Sequence, residues 1–159
     1  MAAVDYFLKI DGIQGESLDA KHKGEIELES FSWGESNAGT TATGGGAGAG
    51  KVNMQDLHVA KKLDKASPLL FLACATGKHL KDAILTARKA GKGQLEFLVF
   101  KFRDLLVSSY QTGAADEEPS EQVSFNFSRI EVEFRPQKPD GSLDTPVKAG
   151  WDLKANKKV

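Results

Sequence analysis

In several segments of this chain apolar and polar residues alternate with period two, the spacing that sends successive side chains to opposite faces of a β-strand. Asp5 to Asp11, with Tyr6, Phe7 and Ile10 and the turn-prone Asp11-Gly12 at its end, predicts a first strand. From Glu25 to Gly34, Ile26 and Leu28 share one face while Phe31 and Trp33 follow in the other parity, which predicts a bulge near Glu29. Lys51 to Leu63 is strand-like again through Val52, Met54, Leu57 and Val59. Leu80 to Lys89 and Gln94 to Arg103 predict an antiparallel hairpin across Ala90-Gly91-Lys92-Gly93, and Asp104 to Thr112 adds another strand.

Two of these strands break the simple pattern. In Gln94 to Arg103, Leu98, Phe100 and Phe102 line one face and Leu95, Phe97 and Val99 the other, so both faces should be covered. Gln122 to Arg135, the longest predicted strand, carries Val123, Phe125 and Phe127 at odd positions, then Ile130, Val132 and Phe134 at even ones. That switch requires a bulge near Ser128-Arg129 or a crossing from one sheet to another. Acidic Gly113 to Pro119 and Pro139-Asp140-Gly141 read as turns, and Val147 to Leu153 as a last strand.

One helix interrupts the strands. Ser67 is the expected N-cap, Pro68 suits the first helical position, and Gly77 suits the left-handed residue after the end. Leu69 to Cys74 is apolar on nearly every side, so this helix should touch more than one surface and is the candidate cover for the doubly apolar strand. By contrast, Glu35 to Gly50 holds no large apolar side chain and many glycines, which predicts a flexible exposed loop. The whole pattern predicts a mainly β chain, an antiparallel barrel or sandwich with one short flanking helix, in a single domain over residues 1–159.

Charge narrows the function classes. With 21 Lys plus Arg against 22 Asp plus Glu, no net field attracts nucleic acid or an anionic membrane. The first residues lack the basic start and apolar stretch of a secretory signal, and no apolar run reaches the roughly 20 residues of a membrane span, which predicts synthesis in the cytoplasm without membrane insertion. Cys74, the sole cysteine, should simply pack.

Signals for catalysis or cofactor binding fail on inspection. Gly45 to Lys51 matches the first seven positions of a phosphate-binding loop, but Val52 stands where Ser or Thr should hold magnesium, and a strand follows where a helix is needed. His22, His58 and His79 have no metal-ligand spacing, and no nucleophile elbow is present. Asn126-Phe127-Ser128 matches a glycosylation sequon inside a strand and is given no role. No enzyme activity, metal or cofactor is expected; a pocket gathering distant residues such as Asp56, His58 and Glu96 is the enzymatic alternative.

Taken in order, FLKIDGIQGES (7–17), SFSWGES (30–36), GGGAGAGKVNMQDL (44–57), KKLDKASPLLFLACATGKH (61–79), LTARKAG (85–91), LVSSYQTG (106–113) and PQKPDGSLDTPVKAGWDLKANKK (136–158) resemble the Hcp family, the tube proteins of the type VI secretion system. The resemblance covers essentially the whole chain. It implies a β-barrel subunit of a hexameric ring. Rings would stack into a tube, driven by sheath proteins, tipped by a VgrG-type spike and exported without a signal peptide, with small effector proteins carried in the lumen. A ring-forming carrier that never builds a tube is the alternative.

Under that resemblance particular residues acquire roles. Alternation places Phe31 and Trp33 inside and Ser30 and Ser32 on the opposite face, as candidate lumen contacts for cargo. The glycine segment, with Gly44, Gly45, Gly46, Gly48, Gly50 and Lys51, is the candidate contact to the next ring, because it gains little by folding on its own barrel. Leu95, Phe97 and Val99, with the apolar helix, are the candidate lateral contacts, since cyclic closure needs two complementary patches per subunit.

Overall fold

The computed structural model describes residues 4–38, 51–89 and 93–159. Before the helix come β1 (Val4–Ile10), β2 (Ile26–Leu28), β3 (Ser30–Ser32), β4 (Glu35–Asn37), β5 (Val52–Met54) and β6 (Leu57–Lys62). Helix α1 (Ser67–Thr76) is followed by β7 (His79–Lys89), β8 (Leu95–Gly113), β9 (Ser120–Phe134), β10 (Val147–Asp152) and β11 (Lys157–Lys158).

Antiparallel pairing closes the sheet into a barrel. β9 pairs β8, β8 pairs β7, β7 pairs β1 and β1 pairs β2; from its other edge β9 pairs β6, which pairs β3. Only Glu29 separates β2 from β3, and its N–H donates to Ala60 O at 2.8 Å. The parity change near Glu29 is therefore a change of partner, from β1 to β6, instead of a bulge within one ladder. β4 and β5 form a separate two-stranded hairpin whose strands flank the glycine segment.

The parity switch in β9 is a crossing. Its first part, Ser120 to Phe125, pairs β6, and its second, Arg129 to Phe134, pairs β10. β8 bends at the matching place, where Asp104 adopts φ 55°, so Phe102 faces Ile130 before the bend and Leu105 faces Phe127 after it. Both strands keep apolar residues inward by turning together. The expected separate strand from Asp104 is thus a continuation of β8, which at 19 residues is longer than the 15-residue β9.

The core runs through the barrel. Leu8, Ile26, Leu57, Leu85, Leu105 and Val123 are at most 1% exposed. Each such side chain contributes about 1.5–3 kcal/mol by leaving water. Phe31 packs edge-on against Tyr6 and Phe100, which brings the β3 aromatic into this interior as alternation predicted.

The start of α1 differs from expectation. Ala66 occupies the cap position and Ser67 is the first helical residue, with its hydroxyl turned inward to accept the Asp64 N–H and donate to Glu121. A buried carboxylate competes for that hydroxyl more strongly than a neutral helix amide does. Gly77 ends the helix at φ 66°, as predicted. Leu70 and Ala73 are buried, Cys74 packs partly on the core, and Leu69, Phe71 and Leu72 remain exposed.

Candidate interaction surfaces

Ser30 and Ser32 belong to two rows of mostly polar residues that run across four strands. Strand register sets Ser32 on β3 opposite His58 on β6, His58 opposite Ser124 on β9, and Ser124 opposite Ser109 on β8. The second row, in the same order, is Ser30, Ala60, Gln122 and Gln111. Between them, Phe31, Val59, Val123 and Tyr110 form a row directed to the interior, so the polar rows share the outer face. They border a shallow hollow of about 450 Å³.

Hydrogen bonding holds this face in shape. His58 Nδ1 and Ser124 Oγ are 2.7 Å apart. At one end Asp56 accepts hydrogen bonds from Ser108 at 2.5 Å and Asn126 at 3.2 Å. At the other, Lys62 pairs with Glu118 at 3.2 Å. The rows between these ends carry hydroxyls, amides and one imidazole, chemistry suited to reversible hydrogen bonding with a polar surface.

The predicted lateral residues lie elsewhere on the sheet. Leu95, Phe97 and Val99 are half-buried, with the Lys89 ammonium 5.1 Å from the Phe97 ring centre. Helix α1 does not provide the expected cover there: it rests on a later part of β8, where Phe71 meets Tyr110 edge-on with ring centres 6.2 Å apart. The bend at Asp104 separates these two stretches of β8. Gly44, Gly45, Gly46, Gly48 and Gly50 lie outside the described residues, while Lys51 is exposed immediately before β5. It also borders a cleft of about 880 Å³ walled by Trp33, Val52, Met54, Val132 and Trp151.

Of the residues of the enzymatic alternative, Asp56 and His58 lie on the polar face and Glu96 lies apart from them beside His22. His58 bonds Ser124, Asp56 bonds Ser108 and Asn126, and Glu96 bonds His22. His79 bonds Asp104, so the three histidines have separate surroundings. Among the described residues no group of three or more His, Cys, Asp or Glu is placed to hold a metal ion, and no helix is long and apolar enough to cross a membrane.

Two partly buried acidic groups are shifted by their partners. Lys154 and His79 beside Asp104 lower its pKa to about 2, and the Arg88 guanidinium holds the Asp19 carboxyl well below the usual range. Inside the barrel, burial and then Glu121 push the Tyr110 hydroxyl up.

Residues 7–134 match the family model described as "Type VI secretion system effector, Hcp". The chain belongs to the Hcp family. Protein hcp1 of Pseudomonas aeruginosa is 47% identical to this Hcp chain over 158 residues, covering 97% of this chain and 98% of that one. Among solved structures, Hcp1 from Salmonella typhimurium matches with a TM-score of 0.83 at 39% identity, covering 99% of this chain and all of the other. A structure described as a type six secretion system protein reaches 0.92 at 34% identity over the same shares. The barrel with one short helix is therefore the fold of Hcp proteins, and the chain is a type VI secreted protein of a structural family.

Ser109, Gln111, Gln122 and Ser124 were not singled out from the sequence, and His58 only for metal binding or catalysis, although all share the face of Ser30 and Ser32. Alternation alone puts each opposite a core residue, but strand adjacency, which joins them into one surface, requires the barrel order.

Proposed function

We propose that this Hcp chain is the structural subunit of the type VI secretion tube: copies close into a hexameric ring, and rings stack into the tube. The polar rows of β3, β6, β9 and β8 line the lumen, where Ser30 and Ser32 meet small effector proteins. The observation that carries this reading is that Hcp membership coincides with a face of hydroxyls, amides and one imidazole, interrupted only by the methyl group of Ala60. Such a surface holds a folded passenger through many weak contacts and releases it without unfolding.

The remaining surfaces take the other contacts. Leu95, Phe97 and Val99, together with exposed Leu69 and Phe71, supply the two unlike apolar patches that a closed ring needs. Gly44 to Gly50 and Lys51 reach the next ring. Sheath proteins surround the tube, a VgrG-type spike caps it, and the tube leaves the cell through the type VI machinery.

Light scattering after size exclusion, with negative-stain imaging over a concentration range, tests this reading. A mass six times that of the chain with ring-shaped particles that stack at high concentration is expected. A stable monomer overturns the ring, whereas rings that never stack, even with the spike present, favour a carrier outside the tube.

A further inference from the structure

The segment between β1 and β2 is pinned to the barrel by an imidazole between two carboxylates. His22 is 7% exposed and stacks on Phe7 with ring centres 4.4 Å apart and planes at 8°. Its Nδ1 lies 2.8 Å from Glu25 Oε2, and its Nε2 lies 2.6 Å from Glu96 Oε1. A neutral imidazole has one N–H and one lone pair, so it cannot donate to both carboxylates. Two hydrogen bonds require one further proton, on the second ring nitrogen or on one of the carboxyls. Because the three groups share it, that proton belongs to the cluster as a whole.

We propose that His22, Glu25 and Glu96 form a proton-held latch that fastens the segment ahead of β2 to the start of β8. With the proton in place both contacts are short charge-assisted hydrogen bonds. When it leaves, a ring lone pair faces a carboxylate oxygen and that contact becomes repulsive. Glu96 is 74 residues from His22 in sequence, so the proton joins parts of the chain that no local turn would hold together.

The neighbouring charges confine the effect. Arg88 on β7 lies 4.8 Å from the Phe7 ring centre and pairs with Asp19 at 2.7 Å and Asp5 at 3.4 Å. Asp19, kept ionised by Arg88, anchors the preceding residues throughout the neutral range. Lys21 and Glu96 line the same basin, while Lys23 is exposed. Loosening is therefore centred on residues 22–25. The latch is independent of the tube reading, although Glu96 sits between Leu95 and Phe97 and its state changes the charge presented beside them.

Hydrogen-exchange mass spectrometry on the full chain between about pH 5 and 8, corrected for intrinsic exchange and at one verified oligomeric state, tests the latch. Protection of residues 22–25 should fall by about tenfold or more across that range relative to core amides of β8 and β9. In Glu96→Gln the side-chain amide can donate to a lone pair or accept from an N–H, so the pH dependence should vanish while protection persists. Wild-type protection that does not change with pH, or Glu96→Gln that keeps the wild-type dependence, overturns the proposal.

Discussion

Lys61 on β6 and Glu121 on β9 are cross-strand partners that form a fully buried ion pair beneath the first turn of α1. Glu121 also accepts the hydroxyls of Ser67 and Tyr110, and Lys61 donates to Asp64 at 2.9 Å and Ser67 at 3.2 Å. Desolvating two charges is tolerated only when both are paired and hydrogen-bonded. The consequence is positional: the network couples the helix start to two barrel strands through directional contacts.

Lys61→Met leaves Glu121 buried without its cation and should cost about 3–5 kcal/mol in urea unfolding. Adding Glu121→Leu should recover part of that loss, because no buried charge then remains unpaired. A single variant as stable as wild type would show that the pair contributes nothing to the fold.

At the bend of β8, Asp104 bonds Lys154 at 2.5 Å and His79 at 3.0 Å. Its folded pKa, about 2, lies below the ordinary value of 3.8, so its stabilisation is complete above roughly pH 4 and is lost as pH falls toward 2. Asp104→Asn, which tolerates the same positive φ, should lose this stabilisation above roughly pH 4 and so flatten the acid limb. Asp104→Val should in addition lose about 1–2 kcal/mol at every pH through backbone strain. Acid titrations monitored by circular dichroism separate the two contributions.

Gly15 makes a close approach that no other residue can. A Cβ there would lie 2.6 Å from Glu25 O and 2.7 Å from Ile26 Cα, both backbone atoms. Gly15→Ala should therefore cost about 1–3 kcal/mol by forcing the segment off β2. Gly12→Ala meets open space and should show only the strain of φ 85°, about 1 kcal/mol, so unfolding midpoints should rank the two.

Ser32→Gln places a longer side chain beside His58 on the polar face. Co-purified effector should fall while ring mass is unchanged; undiminished effector would remove Ser32 from the binding surface. Ring integrity, checked by light scattering, distinguishes a lumen effect from unfolding.

Deleting Gly44 to Gly50 should leave single rings intact and abolish stacking in negative-stain images. Rings that fall apart on this deletion would place the segment in the lateral contact instead.

Period-two alternation by itself determined most strands, the inward direction of Phe31 and Val123, and the end of α1 at Gly77, because each depends on local backbone geometry and side-chain spacing. It also located both parity switches without deciding their cause. Only the barrel order showed that Glu29 marks a change of partner and that Asp104 and Ser128 bend together. Ser67 illustrates the limit: its local pattern is that of an N-cap, yet Glu121, 54 residues away, takes its hydroxyl into the interior. The polar face needed the same information, since Ser32, His58, Ser124 and Ser109 become neighbours only through pairing across the sheet. Local propensity acts over a few residues, whereas partners for buried charges and continuity of a surface are decided by which strands lie side by side.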